Sequence, residues 1–324
     1  MKIVFVHMGV LPVKTYGGTE RILFWHMKEL VRQGHQVALI GNKNSEVTKY
    51  GIDLIPLEAK DEQLWPTLIP NDADLVHLQW NWQQELGIPH VCTVHGNGKP
   101  GETFYKNTVF VSKRHAQNHQ SKSYVHNAID FEEYPFEAPK KQKWDEFLFL
   151  AKASWRVKNV KHAVKACKKA KKILHIAGGK VLSFSKYIKN EGFVGGQKKL
   201  DLIRQSDALV FPIRWEEPFG IAVIEAMSQG RPVVVSPYGS MKELVTPEVG
   251  FICNNYLELE QVIIQNENNF DPLIIREYAE EHFSINLYTQ RYVELYKKVV
   301  AGRSLNDQNP HFPGPKRAED LLPF

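Results

Sequence analysis

Short apolar runs alternate with amphipathic stretches along most of the chain. Residues 3–6 form the first run, and a loop rich in glycine and proline follows it. Apolar residues from 22 to 31 then recur at the spacing of one helical face, Gly34 ends that helix, and residues 36–40 predict a second strand. A strand, a helix and a strand in this order form a βαβ unit, which indicates a parallel sheet.

The same alternation restarts in the second half of the chain. In the first half, further strand-length apolar runs occupy residues 75–78, 90–94 and 108–111, and in the second half such runs occupy residues 147–151, 173–177, 208–211 and 232–236. Helical patterns occupy residues 160–172, 200–205 and 221–229, and a further one ends near residue 299. The chain is therefore predicted to be an α/β protein with two Rossmann-like parallel-sheet domains.

A polar, proline-containing segment separates the two halves. Residues 135–145 contain two prolines and a basic cluster of Lys140, Lys141 and Lys143, which is typical of an exposed linker. A chain of 324 residues also exceeds what one hydrophobic core usually organises. A domain boundary is therefore predicted within this segment.

The predicted domains follow from this boundary. The N-terminal domain covers residues 1–140, and the C-terminal domain covers residues 141–283. A helix at 284–302 is expected to pack back toward the N-terminal domain. Residues 303–324, with four prolines and little periodicity, are expected to form an extended tail.

The composition is that of an ordinary globular protein, with 43% hydrophobic, 24% charged and 11% aromatic residues. Its three cysteines are far apart and odd in number, which fits neither a disulfide framework nor a paired metal site. A reducing, cytoplasmic location is therefore expected. Cys92 and Cys253 lie in apolar stretches and are interpreted as buried packing residues.

The net charge of +5 leaves peripheral contact with the inner face of a membrane open, although no apolar run approaches the roughly 20 residues that span a bilayer. Six lysines between residues 161 and 172 oppose an apolar stripe of the predicted helix. A solvated face is the favoured interpretation, and binding of anionic lipid or of an acidic acceptor is the alternative. Nucleic-acid binding is not expected, because the basic helix lacks an aromatic-basic module.

The block from residue 217 to residue 236 carries the strongest chemical signal. Pro218 suits the first turn of a helix, and Gly230 suits its end. The N–H groups of Phe219, Gly220 and Ile221 would then be unpaired at the positive end of the helix dipole. This helix start is therefore predicted to bind a phosphate.

Two carboxylates flank the predicted anion site, Glu217 before the helix and Glu225 about two turns into it. A nucleotide diphosphate sugar has matching polarity, because its anion lies between two groups of hydroxyls. Glu217 would accept hydrogen bonds from the transferred sugar, and Glu225 from the ribose. A surface ion pair is the alternative for Glu225, since an isolated pair of glutamates is a weak signal.

The block also contains a Phe-Gly pair, an Ala-Met pair and a Gly-x-Pro-Val-Val run. Together with the two glutamates, which are separated by seven residues, it resembles the signature of glycosyltransferase family 4, also described as glycosyl transferases group 1. The resemblance extends from Met1 to about Val300. It implies the GT-B architecture, in which two Rossmann-like domains face a cleft, and a nucleotide sugar as co-substrate without a metal or another cofactor. It also implies that the N-terminal domain lies on the acceptor side and that the C-terminal domain binds the donor nucleotide.

Two further motifs resemble the family in the first half of the chain. Residues 16–21 are similar to its glycine loop, which places Gly17 and Gly18 at the donor phosphates, whereas two adjacent glycines alone mark only a turn. His95 ends an apolar strand before Gly96 and corresponds to the histidine that faces the transferred sugar, with a structural role as the alternative. The resemblance makes His95 and Glu217 the candidate catalytic residues.

The family also places an arginine and a lysine at the donor diphosphate. Lys158 occupies the lysine position. The arginine position holds Lys152, which replaces a bidentate fork by a point charge, and Arg156 is the alternative source of a guanidinium.

Other candidate contacts are less specific. Gly195 lies where family members pass their backbone along the nucleobase, but only 14 residues separate Gly179 from Val194, fewer than the family usually has. Trp80 and Trp82 are candidates for stacking on an acceptor sugar, and core packing is an equal alternative.

The expected function is that of a retaining hexosyltransferase acting on a sugar, lipid-linked or small-molecule acceptor. A UDP-sugar is the favoured donor and a GDP-sugar the alternative. The sequence lacks a Gly-x-Gly-x-x-Gly turn and a P-loop, which argues against a dehydrogenase or an NTPase. A sugar-nucleotide epimerase or a phosphorylase on the same fold, and a binding protein that has lost catalysis, are the rival interpretations.

Overall fold

The structure is a computed structural model that describes residues 1–13, 17–138, 144–265, 269–314 and 320–324. The chain divides into two compact units. The described part of the N-terminal unit comprises residues 1–13, 17–128 and 285–314. The described part of the C-terminal unit comprises residues 129–138, 144–265, 269–284 and 320–324.

The division between the units differs from the predicted boundary at residues 140 and 141, because the C-terminal unit begins at Ile129. The Ile129 N–H donates to the Phe283 carbonyl at 3.0 Å, which attaches the segment to the end of the C-terminal unit. The lysines of the predicted linker, Lys140, Lys141 and Lys143, lie outside the described residues.

The N-terminal unit contains a parallel sheet of six strands among its described residues, in the order β3-β2-β1-β4-β5-β6. The strands are β1 (Lys2–His7), β2 (Gln36–Gly41), β3 (Asp53–Pro56), β4 (Leu75–Leu78), β5 (His90–Val94) and β6 (Thr108–Phe110). The inner strands are almost wholly buried, as expected for a parallel sheet covered on both faces. Helices of this unit are α1 (Gly18–Arg32), α2 (Lys113–Asn118) and α9 (Ile285–Val300).

Helix α9 belongs to the N-terminal unit and packs on α1. Three of its tyrosines, Tyr288, Tyr292 and Tyr296, are buried. The Tyr296 hydroxyl lies 2.6 Å from Nδ1 of His77 in β4, and the Tyr292 hydroxyl lies 2.7 Å from Thr93 Oγ1 in β5. These hydrogen bonds join the last long helix of the chain to the interior strands of the first sheet.

The C-terminal unit contains a second six-stranded parallel sheet among its described residues, in the order β12-β11-β10-β7-β8-β9. The strands are β7 (Glu146–Leu150), β8 (Ile173–Ala177), β9 (Ile188–Gly192), β10 (Ala208–Phe211), β11 (Val233–Val235) and β12 (Gly250–Ile252). The helices are α3 (Val160–Ala170), α4 (Gly196–Gln205), α5 (Ile221–Met227), α6 (Met241–Leu244), α7 (Tyr256–Gln265) and α8 (Pro272–Phe283). The 3-10 helices of the C-terminal unit are Phe131–Glu133 and Arg156–Lys158, and those of the N-terminal unit are Thr48–Tyr50 and Ala59–Leu68.

The two sheets have the same strand order when each is numbered from its own first strand, 3-2-1-4-5-6, which is the order of the Rossmann fold. The predicted fold class is therefore confirmed for each unit. In such sheets the strand order reverses between the first and fourth strands, and this position is called the switch point. Ligands bind there, beyond the carboxyl ends of the strands. In the C-terminal unit the switch point lies between β7 and β10.

The predicted tail at residues 303–324 contains no helix or strand in its described parts and is bound at both ends. The Asn306 amide donates to the carbonyls of Lys106 and Thr108 at 2.9 and 3.0 Å, beside β6. The Leu322 N–H donates to the Arg214 carbonyl at 2.8 Å. Residues 315–319 lie outside the described residues.

No helix in the described ranges combines the length and the apolar character needed to cross a bilayer.

Candidate active site

The loops at the switch point of the second sheet hold a buried ion pair. Lys158 ends the 3-10 helix after β7, and Glu217 lies in the loop after β10. The Lys158 ammonium donates to Oε2 of Glu217, and the two side chains are only 11% and 9% exposed. The Trp215 indole N–H donates to the same oxygen at 2.6 Å. The two residues predicted to bind the phosphates and the transferred sugar are therefore direct neighbours.

Aromatic rings surround the Lys158 ammonium. Its Nζ lies 4.8 Å from the centroid of Trp215, 5.3 Å from that of Phe211 and 5.4 Å from that of Trp155. These cation–π contacts and the carboxylate offset part of the cost of removing the charge from water. Lys158 is therefore a fixed positive charge at the carboxyl ends of β7 and β10.

The loop that precedes α6 contacts the backbone of Glu217. The Ser240 N–H donates to the Glu217 carbonyl at 3.0 Å. Gly239 has a φ of 60°, and a Cβ built there would lie 2.2 Å from the Glu217 nitrogen and 2.3 Å from its carbonyl oxygen. Only glycine therefore fits this position without moving Glu217.

Replacing Gly239 with Ala should lower the free energy of unfolding of the C-terminal unit by about 3 kcal/mol, since the left-handed φ and the backbone clash both disfavour a side chain. Turnover should fall as Glu217 moves. Gly192→Ala is the matched control, because Gly192 has a φ of 75° and no atom within 4 Å of a built Cβ. Chemical denaturation measures the difference, and equal losses in the two variants would contradict the proposed clash.

Glu225 lies in a second buried cluster in the same unit. The Lys199 ammonium, from the first turn of α4, donates to its Oε1, and the Tyr134 hydroxyl donates to the same atom at 2.6 Å. The Lys199 and Glu225 side chains are 12% and 7% exposed, which excludes the alternative of a surface ion pair. Gly195 is the residue before α4. The segment predicted to run along the nucleobase is therefore followed directly by the helix whose Lys199 contacts Glu225.

The start of α5 differs from the prediction. Pro218 does not lie in the first turn, because the helix begins at Ile221 after Gly220, whose φ is 93°. Phe219 is buried against Phe283, with ring centroids 5.9 Å apart, and its carbonyl accepts the Ser240 hydroxyl at 2.5 Å. The assignment of Phe219 to the helix start is therefore wrong, and the first turn is formed by Ile221 and the residues after it.

The other two candidate cations differ from Lys158. Lys152 and Arg156 are both exposed in the loop after β7. The Trp155 N–H donates to the Lys152 carbonyl at 3.0 Å, so a turn separates the two side chains. The assignment of the second phosphate-binding cation to Lys152 or Arg156 therefore stays a prediction.

His95 follows β5 in the N-terminal unit. Its Nε2 lies 2.9 Å from Oε1 of Gln79, the residue after β4, and desolvation lowers its pKa to about 4. His95 is therefore a neutral imidazole near pH 7, a form suited to hydrogen bonding with a sugar hydroxyl.

His115 in α2 and His119, the residue after α2, support the loop that follows His95. Nε2 of His115 donates to the Gly96 carbonyl at 2.9 Å, and the Gly98 N–H donates to Nε2 of His119 at 2.9 Å. Because Nε2 of His119 accepts a backbone N–H, this ring is neutral and carries its proton on Nδ1, which lies 2.8 Å from the His115 carbonyl. Burial lowers the pKa of His119 to about 4.

The remaining predicted residues lie in the N-terminal unit. Gly17 precedes α1 with a φ of 150°, and a Cβ built there would lie 2.9 Å from a Glu20 carboxylate oxygen. Gly18 begins α1, and residue 16 lies outside the described residues. Trp80 and Trp82 are half-buried and pack edge-on against Trp65, with centroids 6.1 and 5.1 Å apart. Core packing therefore accounts for the two tryptophans, and their acceptor role stays a prediction.

Sequence reasoning missed four residues that complete these clusters: Tyr134, Lys199, Trp215 and Gly239. Trp215 stands two residues before Glu217, and this spacing was the one local signal. The other three meet their carboxylates only through the fold. The described part of the chain holds no group of three or more His, Cys, Asp or Glu side chains arranged to bind a metal.

Comparison with protein families gives a match to the C-terminal unit. Residues 130–269 match the family model described as Glycosyl transferases group 1. An uncharacterized glycosyltransferase of Methanocaldococcus jannaschii is 44% identical over 61 residues, 19% of this chain and 15% of that protein. An uncharacterized 42.6 kDa protein of the cps region of Klebsiella pneumoniae is 27% identical over 99 residues, 30% of this chain and 24% of that protein. The matches thus span a quarter or less of the length of these curated relatives.

Solved structures share the fold over nearly the whole chain. A glycosyltransferase involved in avilamycin A biosynthesis is 21% identical with a TM-score of 0.76, over 93% of this chain and 98% of that one. A glycosyltransferase of Rickettsia africae is 18% identical with a TM-score of 0.72, over 92% and 98%. Anabaena HepE, solved with UDP and glucose, is 17% identical with a TM-score of 0.67, over 92% and 99%.

Proposed function

We propose that the protein is a glycosyltransferase that moves a hexose from a nucleotide diphosphate sugar to an acceptor hydroxyl, and the match of residues 130–269 to the family model of the glycosyl transferases group 1 supports this proposal. The observation that carries the proposal is the buried Lys158–Glu217 pair at the switch point of the second sheet. A cation fixed at this place can bind a diphosphate, and a carboxylate beside it can accept hydrogen bonds from sugar hydroxyls.

In this proposal the C-terminal unit binds the donor. Lys158 stabilises the negative charge that develops on the departing diphosphate, with Lys152 or Arg156 as the second cation and the first turn of α5 as a source of N–H groups. Glu217 contacts the transferred sugar. Glu225, held by Lys199 and Tyr134, accepts hydrogen bonds from the ribose.

The proposed reaction retains the anomeric configuration and uses no metal. The departing phosphate oxygen takes the proton of the attacking acceptor hydroxyl, so no protein side chain becomes covalently attached to the sugar. Neutral His95 hydrogen bonds to the transferred sugar and orients it. UDP is the preferred nucleotide, and the binding of UDP by a protein of the same fold, Anabaena HepE, supports this choice.

The test compares nucleotides first and reactions second. UDP, GDP, ADP and their sugars are screened by thermal shift, because a bound ligand raises the melting temperature. The best donor is then incubated with and without candidate acceptors, and the products are separated. Transfer that requires an acceptor supports the proposal, whereas conversion of the donor alone would identify an epimerase. A nucleotide shift without any turnover would identify a binding protein.

Replacing Glu225 with Gln should weaken UDP binding about tenfold, since a charged acceptor of the ribose hydroxyls becomes a neutral one at a cost of about 1 to 2 kcal/mol. Glu277→Gln is the matched control, because Glu277 is exposed on α8 of the same unit. Isothermal titration with UDP measures both variants. Unchanged affinity in Glu225→Gln would remove the ribose assignment.

Treatment with EDTA should leave turnover unchanged, because Lys158 and its partner cation, rather than a divalent metal, compensate the charge of the leaving group. Initial rates before and after chelation are compared at saturating donor. Loss of activity that added Mg²⁺ or Mn²⁺ restores would show that the reaction depends on a metal.

A further inference from the structure

The connection between β8 and β9 presents an unusual surface. Exposed and half-buried residues alternate along it, and the exposed positions are Lys180, Leu182, Phe184 and Lys186. Leu182 is 92% exposed and Phe184 is 99% exposed, whereas the next most exposed large apolar side chain among the described residues, Leu257, is 71% exposed. Two apolar side chains thus project side by side into solvent between two lysines.

Hydrogen bonds hold this connection in a defined shape. The Val181 N–H donates to Oδ1 of Asn190 at 2.9 Å, and the Asn190 amide donates back to the Val181 carbonyl at 3.0 Å. The Ile188 N–H donates to the Ser185 carbonyl at 3.1 Å. The exposed side chains therefore project from a fixed base.

The charged residues of the connection itself are all lysines. No acidic residue occurs between residues 178 and 190, and Lys189 adds a third exposed lysine. The nearest carboxylate in sequence, Glu191, lies 2.9 Å from Nδ1 of His175. An apolar tip with lysines on both sides matches the depth profile of a bilayer surface, where anionic headgroups lie above acyl chains.

We propose that residues 180–186, the basic apolar tip, bind the protein to membranes that contain anionic phospholipid. Leu182 and Phe184 enter the boundary between headgroups and acyl chains, and Lys180 and Lys186 contact the lipid phosphates. Two adjacent side chains form too small a contact for a stable protein interface, but they suffice for interfacial anchoring when basic residues add to them.

The basic face of α3, considered above as a lipid-binding surface, has a different character. Its lysines Lys161 and Lys168 are exposed, but the apolar residues of that helix, Ala163, Ala166 and Cys167, are buried in the core. This face therefore offers charge without an insertable side chain, and its lysines serve as a matched control.

Sedimentation of the full chain with vesicles tests the proposal. The protein should bind vesicles of phosphatidylcholine with phosphatidylglycerol and should bind vesicles of phosphatidylcholine alone much more weakly. Leu182→Ser/Phe184→Ser should lower binding at least about thirtyfold, because the apolar burial is lost. Leu257→Ser should bind like the unmodified protein.

Paired lysine variants that remove charge test the electrostatic part of the proposal. Lys180→Gln/Lys186→Gln should lower binding to the anionic vesicles about thirtyfold, since each lysine near such a surface contributes about a fivefold factor. Lys161→Gln/Lys168→Gln should leave most of the binding intact. A larger loss in the α3 pair than in the tip pair, or sedimentation of the serine variant at the unmodified level, would overturn the proposal.

Insertion is measured separately with a fluorophore. The native thiols of Cys92, Cys167 and Cys253 are buried, and burial raises the pKa of each, so a single exposed cysteine reacts selectively. Phe184→Cys carrying an environment-sensitive dye should show a blue shift with the anionic vesicles, and Leu257→Cys should not. Equal spectra for the two variants, or no shift in either, would overturn insertion at the tip.

Discussion

Replacing Glu217 with Gln should lower the turnover of sugar transfer by about a hundredfold or more. A carboxylate at the reacting sugar interacts more strongly with the transition state than with the bound donor, so its loss reduces kcat. The change also leaves the buried Lys158 ammonium without its counter-charge. Breaking such a pair costs about 3 to 5 kcal/mol of stability, so the melting temperature should fall as well.

A double variant separates these two effects. Lys158→Met/Glu217→Met removes both charges, and apolar replacement of a buried pair is often neutral for stability. We expect the melting temperature of the double variant to recover toward that of the unmodified protein while turnover stays low. A Glu217→Gln variant with turnover close to that of the unmodified protein would show that this carboxylate has only a structural role.

Acidification should unfold the N-terminal unit before the C-terminal unit. Burial lowers the pKa of eight histidines in the described N-terminal unit and of one, His162, in the C-terminal unit. The pKa of His26 falls from 6.5 to about 3, and that of His119 falls to about 4, chiefly through desolvation. Both residues are neutral in the folded protein near pH 7.

The unfolded chain binds more protons than the folded chain between pH 6.5 and these lowered values. The stability contribution of the neutral rings is therefore complete above pH 6.5 and is lost as the pH falls toward 4. For His26 and His119 together the full loss is on the order of 8 kcal/mol. Protonation of His119 also removes the acceptor of the Gly98 N–H, which releases the loop after His95.

Pulse proteolysis with pepsin at stepwise lower pH, followed by mass spectrometry, identifies the unit that opens first. His26→Leu should reduce the acid sensitivity, because a titrating group is removed. His282→Leu is the control, because His282 is exposed on α8 of the C-terminal unit. Earlier cleavage of the C-terminal unit, or equal acid sensitivity in His26→Leu and the unmodified protein, would contradict the prediction.

Interior strands were predictable from the sequence and most edge strands were not. The apolar runs at 147–151, 173–177 and 208–211 correspond closely to β7, β8 and β10. The three strands that were not predicted, β3, β9 and β12, lie at sheet edges and carry exposed residues within short runs. An edge strand is covered less completely, so its sequence lacks the continuous apolar run that identifies a buried one.

The identities of the site residues were easier to predict than their contacts. Glu217 and Lys158 were each assigned to a part of the donor, but 59 positions separate them, and their direct pairing depends on the neighbouring positions of β7 and β10 in the sheet. The helix start at Pro218 was wrong because proline propensity competes with the burial of Phe219, which keeps the segment before Gly220 out of the helix. At this position tertiary packing therefore overrides the local preference of proline for the first turn of a helix.

The placement of α9 bears on the order in which the protein folds during its synthesis. Nδ1 of His77 in β4 forms a hydrogen bond with the hydroxyl of Tyr296, which lies 219 residues later in the chain, so the first sheet lacks part of its core until α9 has been synthesised. The C-terminal unit needs only residues from Ile129 onward and has nearly all of them before α9 emerges. The unit that is translated second is therefore the first to complete its core, and the unit translated first waits for a helix that follows the whole of the second sheet in the sequence.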